Sequence, residues 1–195
     1  MKVLIVYCHP SKKSFTNQVK EKFIKGLIDA GHSYMVSDLY ESDFNGELSE
    51  AEYLRETYYQ ADQPVSRDVQ LEQDKIQQSD AIVFIYPVFW TEAPAKLVGW
   101  FDRVWTSGFA YTPHPTMKTL KKVFMIAVAG KTQQALDETG EAQAMRTVML
   151  GDRIRDRAID KEMVLLDGIT HWEEELRNSK MKEHLKTAYQ LGLGF

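Results

Sequence analysis

Ala81 to Tyr86 reads Ala-Ile-Val-Phe-Ile-Tyr, an apolar run with no polar interruption. A short run of this kind suits a parallel strand with helices packed on both faces, since neither face then has room for a polar side chain. The rest of the chain repeats the theme. Lys2 to Cys8 (KVLIVYC) reads as a first buried strand, and from Thr16 onward Val19, Phe23, Leu27 and Ala30 mark a helix closed by Gly31. Tyr34 to Leu39 is a second strand. Tyr40 to Ser79 is a long excursion, with one helix begun by the capping box Ser49-Glu50-Ala51-Glu52 and another, Gln70 to Gln78, leading into the third strand. Lys122 to Val128 is the fourth strand, Ala142 to Ile159 a charged amphipathic helix, Met163 to Leu166 a short fifth strand, and Trp172 to Leu191 a closing helical segment. Alternating strands and helices predict an α/β three-layer sandwich, and five strands at this length predict a parallel sheet of order 2-1-3-4-5.

The 195 residues fit one domain, expected to span 1–195, long enough to bury a core unaided. With a formal charge of -4 and Lys and Arg scattered along the chain, nucleic acid and anionic membrane are disfavoured as main partners, and a small molecule is favoured. The apolar start Val3 to Tyr7 is stopped by His9 and Pro10, too short for a signal peptide or a membrane span, so a cytoplasmic location is expected with no membrane insertion. One cysteine, Cys8, excludes an internal disulfide and any cysteine-based zinc cluster. No metal is expected.

In this strand order the loops after strands one, three and four meet at the carboxyl edge of the sheet. The first, His9 to Asn17, runs into a helix N-terminus, whose free N–H groups attract a phosphate; Ser14 and Thr16 are equally ordinary helix caps. His9 directly after a strand is either structural or a donor to a phosphate oxygen. The second loop carries Pro87, which is expected to end its strand, then Val88, Phe89 and Trp90, with Pro94 opening a helix whose Leu97, Phe101, Val104 and Trp105 recur at core spacing. Phe89 and Trp90 fall outside that helix and read as rings that hold something flat. The third loop is Ala129-Gly130-Lys131-Thr132, with Gly130 read as allowing main chain to approach a planar ligand. It is not a nucleotide-triphosphate loop, because the pattern needs glycine at position 125, which is Met125 inside a strand. Nor is Cys8 a phosphatase nucleophile, since the required arginine would stand at position 14, which is Ser14; Cys8 reads as a small buried strand residue.

The strand-one loop with His9, Ser14 and Phe15, Gln73 seven residues before Asp80, the Pro87 to Trp90 loop, and Gly99-Trp100-Phe101-Asp102-Arg103-Val104 followed by Phe109-Ala110-Tyr111-Thr112 resemble together the NAD(P)H:quinone oxidoreductases of the DT-diaphorase type, within the flavodoxin-like fold. The likeness covers most of residues 1 to 130. It implies a flavin whose phosphates lie on His9, Ser14, Phe15, Thr16 and Asn17, with Gln73 near its ribityl or adenosine part. The ring would lie against Pro87, Val88, Phe89 and Trp90 and be met by Ala129, Gly130 and Lys131. The Ser14-Phe15 and Gln73 likeness leans towards FAD, with FMN as the alternative. The implied reaction passes hydride from NAD(P)H to the flavin and on to a flat acceptor, a quinone with nitro or azo compounds as incidental ones. The family further implies a homodimer, with Tyr111 reaching over the partner's flavin. The aromatics Trp100, Phe101, Trp105 and Phe109 exceed what one helix face usually buries, and so point to the same segment as the interface.

The departures lie after the fourth strand. Where relatives carry a glycine-rich turn, then a tyrosine and a histidine that assist hydride transfer, residues 133–141 hold neither. Lys131 is expected to stand in for them by placing positive charge near the flavin N1/O2 edge. Thr91 replaces a second aromatic, and Pro113 a tyrosine of one group of relatives. Two rival readings are an electron-transfer flavodoxin and a regulatory flavoprotein subunit of a potassium efflux system.

Overall fold

The computed structural model describes residues 1–112, 114–170 and 172–195, so Pro113 lies outside the described residues. Five strands, β1 (Lys2–Tyr7), β2 (Ser33–Asp38), β3 (Ala81–Pro87), β4 (Leu120–Val128) and β5 (Ala158–Leu166), form one parallel sheet of order β2-β1-β3-β4-β5. Every residue of β3 is buried, as a strand between two others and beneath two helical layers must be. Its register runs from Val3 opposite Ala81 to Tyr7 opposite Ile85 on one side, and from Ala81 opposite Lys122 to Pro87 opposite Val128 on the other.

Alternation sorts the strand side chains onto two faces. Val3, Ile5, Tyr7, Val83, Ile85, Phe124 and Ile126 pack beneath α1 (Phe15–Asp29) and α7 (Glu174–Leu193). Leu4, Val6, Ile82, Phe84, Tyr86 and Met125 face α3 (Arg67–Gln78) and α4 (Ala95–Val104). On that second face Trp100, fully buried, meets the rings of Phe84, Phe101 and Trp105 at centroid distances of 5.1 to 5.5 Å, and its indole N–H donates to Glu72 at 2.9 Å. Trp105 Nε1 donates to the Arg153 carbonyl. Trp100, Phe101, Trp105 and Phe109 are all buried within the chain, so the expectation that they outnumber what one helix face can bury is corrected: the sheet and the neighbouring rings absorb them.

The excursion between β2 and β3 carries α2 (Glu50–Thr57), started by the anticipated capping box. It is tied down by Arg103, which donates to Glu52, Asp68, Asn45 and Ser66 at 2.6 to 3.2 Å. After β4 come α5 (Gln133–Glu138) and α6 (Glu141–Arg146), and then a π-wound stretch, Thr147–Ile154, instead of a helix continuing to residue 159. Arg155, at φ 47°, turns the chain into β5, so Ile159 is an exposed strand residue. Because the first half of this edge strand is exposed and charged, only Met163 to Leu166 shows the apolar signature. β3 likewise runs through Pro87, with Val88 N–H continuing the ladder to the Val128 carbonyl at 2.8 Å.

The layer formed by α1 and α7 is closed at two glycines. A Cβ on Gly192 would lie 2.2 Å from the Phe23 carbonyl oxygen, a contact backbone cannot relieve by rotating a side chain. Gly192→Ala is therefore expected to destabilise the fold by about 2 kcal/mol or more, read as a lower midpoint in urea with an unchanged slope.

Candidate functional site

At the carboxyl edge, Cys8 N–H donates to the Ile85 carbonyl at 3.1 Å and the chain then leaves the sheet at His9. Ser11 N–H donates to His9 Nδ1 at 2.9 Å, so the neutral ring carries its proton on Nε2, free to donate outward. Burial lowers the His9 pKa and keeps the ring neutral. Ser14 caps α1, its hydroxyl oxygen accepting from Asn17 N–H at 3.0 Å. Its own N–H goes to the Ser11 carbonyl, whereas the N–H groups of Phe15 and Thr16 have no acceptor among the described residues. Those two donors and the positive end of a 15-residue helix make an anion seat. Beneath it, Tyr7 Oη lies 3.5 Å from Ser14 Oγ, and burial pushes the phenol up to about 12. Burial likewise raises the Cys8 thiol to about 12, in keeping with an inert strand residue.

The second loop turns back on itself. Phe89 and Glu92 exchange backbone hydrogen bonds at 2.9 and 3.0 Å, with Trp90 at φ 52° and Thr91 at φ 64° between them. Two consecutive left-handed residues between a bonded pair form the primed hairpin turn that Asn-Gly normally supplies. A tryptophan and a β-branched threonine adopt it only at a cost of order 1 to 3 kcal/mol each. The result is an indole that is 101 % exposed, beside a Phe89 ring that is 48 % exposed. Glu92 pins the turn from below, accepting from Arg153 Nη1 at 3.0 Å and from Ala93 N–H at 2.8 Å. Under it the Tyr86 hydroxyl is buried and has no hydrogen-bond partner among the described residues, its pKa raised by burial and by nearby Glu92.

The third loop is stitched to the one after β5. Ala129 N–H donates to Leu166, Gly168 N–H to Lys131 and Ile169 N–H to Ala129, while Gln133 N–H donates to Asp167 Oδ2 at 2.8 Å. Burial works to raise the Asp167 pKa, but Lys180 Nζ at 2.6 Å and the Gln133 N–H outweigh it, and the carboxylate stays ionised. The N–H groups of Gly130 and Lys131 are left without an acceptor among the described residues. A Cβ on Gly130 would lie 2.6 Å from Thr170 Oγ1, so the glycine's smallness also makes room for Thr170. Lys131 is not a bare cation either. Its ammonium meets both oxygens of Glu141, at 2.7 and 2.8 Å, and the Thr139 and Thr91 hydroxyls approach the same carboxylate, whose pKa the lysine lowers.

Thus His9, Ser14, Phe15, Thr16, Asn17, Val88, Phe89, Trp90, Ala129, Gly130 and Lys131 share one edge, with Pro87 buried at its floor. Gln73 and Tyr111 do not join them. Gln73 is buried on α3, and its amide donates to the Val104 carbonyl and Thr106 Oγ1, at the end of α4 on the opposite edge of the sheet. It lines a groove of about 480 Å³ there, with Arg55, Gln70 and Phe109. Tyr111 Oη donates to Glu56 Oε2 at 2.5 Å within its own chain, and Glu56 also accepts from Ser107 N–H. Glu141, Asp167 and Glu92 are the site's unforeseen members; each is an ordinary surface-type carboxylate in sequence and gains meaning only through the loops it bridges.

Relief of the turn is directly measurable. Thr91→Gly removes the Cβ that opposes φ 64°, and the variant is expected to gain about 1 kcal/mol in urea unfolding despite the greater freedom of its unfolded chain.

The flavodoxin-like fold family model matches residues 1–153. The human ribosyldihydronicotinamide dehydrogenase (quinone) is 37 % identical over 125 residues, covering 56 % of this chain and 53 % of that protein. The NAD(P)H dehydrogenase (quinone) of Cavia porcellus is 35 % identical over 124 residues, covering 57 % and 45 %. The chain thus spans about half the length of the curated relatives it matches. The structure of an NAD(P)H:quinone oxidoreductase from Methanothermobacter marburgensis is similar throughout, with a TM-score of 0.92 and 42 % identity over 99 % of this chain and 94 % of that one. By these matches the chain belongs to the flavodoxin-like family and, within it, to the NAD(P)H:quinone oxidoreductases.

Proposed function

We propose that the chain is a flavin-dependent NAD(P)H:quinone oxidoreductase. The observation that carries the reading is the meeting, at one sheet edge, of an anion seat with unused N–H donors and a turn that spends backbone strain to expose an indole. The donor set suits a flavin phosphate, and the exposed rings suit its flat ring. A bound flavin supplies reversible hydride acceptance at N5. The protein's part is to bind and orient. Phe15 and Thr16 N–H groups, the Ser14 hydroxyl and His9 Nε2–H would donate to phosphate oxygens, with Asn17 beside them. Val88, Phe89 and Trp90 offer apolar surface that keeps water from one side of the ring. The N–H groups of Gly130 and Lys131, in a loop held by the bonds to Gly168 and Asp167, would donate to the polar edge of a bound ring and favour its negatively charged reduced form.

FAD is the flavin favoured by the family likeness. That preference now rests on Ser14-Phe15 alone, because Gln73 is engaged elsewhere. Quinones are the proposed acceptors, with azo and nitro compounds accessible to the same open face. A homodimer is proposed on family likeness, its aromatic argument having been absorbed by the core; a monomeric mass at micromolar concentration in a fully active preparation would refute it. A cytoplasmic location accords with the lone buried cysteine, and no described helix is long and apolar enough to cross a membrane.

The purified protein should be yellow, release FAD of the correct mass on denaturation, and oxidise NAD(P)H with a soluble quinone. Ser14→Asp keeps an oxygen to cap Asn17 N–H, so the fold persists, while its charge opposes the phosphate. Flavin affinity is expected to fall about tenfold or more, measured by flavin fluorescence titration, and an unchanged affinity would place the phosphate elsewhere.

A further inference from the structure

We propose that Lys131 selects hydride donors that carry phosphate, exchanging its Glu141 counter-ion for a phosphate of the dinucleotide. The inference rests on the function proposed above and names its donor class. On the two loops assigned to the ring side, residues 87–94 and 129–132, Lys131 is the one cation. Lys13 is exposed on the first loop, on the side assigned to the flavin phosphates, and two other cations close to the edge are committed. Lys12 is bound to Glu41 at 2.7 Å on the α1 side, and Arg153 is largely buried, held between Glu92 and the face of Phe101. Lys131 is 57 % exposed, and so can reorient.

Its present partner is suited to an exchange. The ammonium sits between two oxygens of one carboxylate at 2.7 and 2.8 Å, the same arrangement that two oxygens of a phosphate offer. An exposed ion pair contributes little net stability, so opening it costs little. The Glu141 side chain is itself 24 % exposed, so water can take the lysine's place when it leaves. With the pair closed, Lys131 and Glu141 together present no net charge to a phosphate-free nicotinamide riboside. A dinucleotide brings the phosphate that draws the lysine across. The relatives are named for both donor classes, ribosyldihydronicotinamide and NAD(P)H, and the dinucleotides differ from the riboside in carrying a diphosphate and an adenosine, of which the phosphates are the part a lysine can bind.

The test measures kcat/KM of the flavin-loaded protein with NADH, NADPH and dihydronicotinamide riboside, each donor limiting and one quinone saturating. Dividing the dinucleotide value by the riboside value cancels whatever a substitution does to the flavin. In Lys131→Met the ratio is expected to fall about fivefold through KM, and in Lys131→Arg to recover. In Glu141→Gln, which frees the lysine and leaves an amide for the threonines, the ratio is expected to rise. Raising ionic strength should lower the ratio in the wild-type protein more than in Lys131→Met. A response confined to NADPH assigns the 2′-phosphate, and a response shared with NADH assigns the diphosphate. Ratios that move in neither Lys131→Met nor Glu141→Gln overturn the proposal. Absence of turnover with every donor overturns the proposed function instead; calorimetric binding of NADP⁺ to wild-type and Lys131→Met protein then decides the lysine's role, equal affinities overturning it.

Discussion

The site depends on the placement of β3. Its seven residues are buried on both faces, and its ladders to β1 and β4 fix where three loops leave the sheet. A slip of one residue would exchange the inward and outward sets, driving Phe84 out of contact with Trp100 and Phe101 and into the layer beneath α1. Trp100 guards against this from the helix side, since its indole N–H is bound to Glu72 on α3 while its ring lies on Phe84. One strand register therefore sets the separation of the anion seat, the exposed rings and the donor loop, although the residues of β3 before Pro87 are buried away from that edge.

Free energy won in that core is partly given up at its edge. The Trp90–Thr91 turn occupies backbone space that neither side chain favours, and it persists because its ends are bonded to each other and Glu92 is bonded to Arg153 and Ala93. An asparagine and a glycine would make the same turn without strain. They would also remove the indole, the feature that the turn presents to solvent. Strain at this position, over a sheet that is elsewhere regular, is the pattern expected where a ligand and not the fold has fixed the residue type.

The sheet, its order and the edge at which loops gather were legible because buried parallel strands must be apolar throughout and because the Ser49 capping box and Gly31 mark helix ends with local chemistry. Legibility failed where tertiary contacts decide. The exposed half of β5 looks like helix surface, since an edge strand bordered by solvent has no apolar signature. Gln73 matched a family motif, yet its amide serves the end of α4. Nor does anything in a single sequence show that Glu141, ten residues after Lys131, comes back to meet it.

That meeting changes how the missing tyrosine and histidine are to be thought of. A lone ammonium beside the ring edge would stabilise added negative charge through a field falling slowly with distance. Paired with Glu141 it presents a dipole, whose field falls faster and whose net charge is zero. In the function proposed here the steadier contribution would come from the Gly130 and Lys131 N–H groups, which carry no counter-ion and are held in place by the Gly168 and Gln133 hydrogen bonds on either side. Donors fixed before the reaction need no reorganisation during it, so backbone can take over charge stabilisation from lost side chains. On that proposal the Lys131 side chain would have no duty at the ring and would be free to respond to charge arriving from outside.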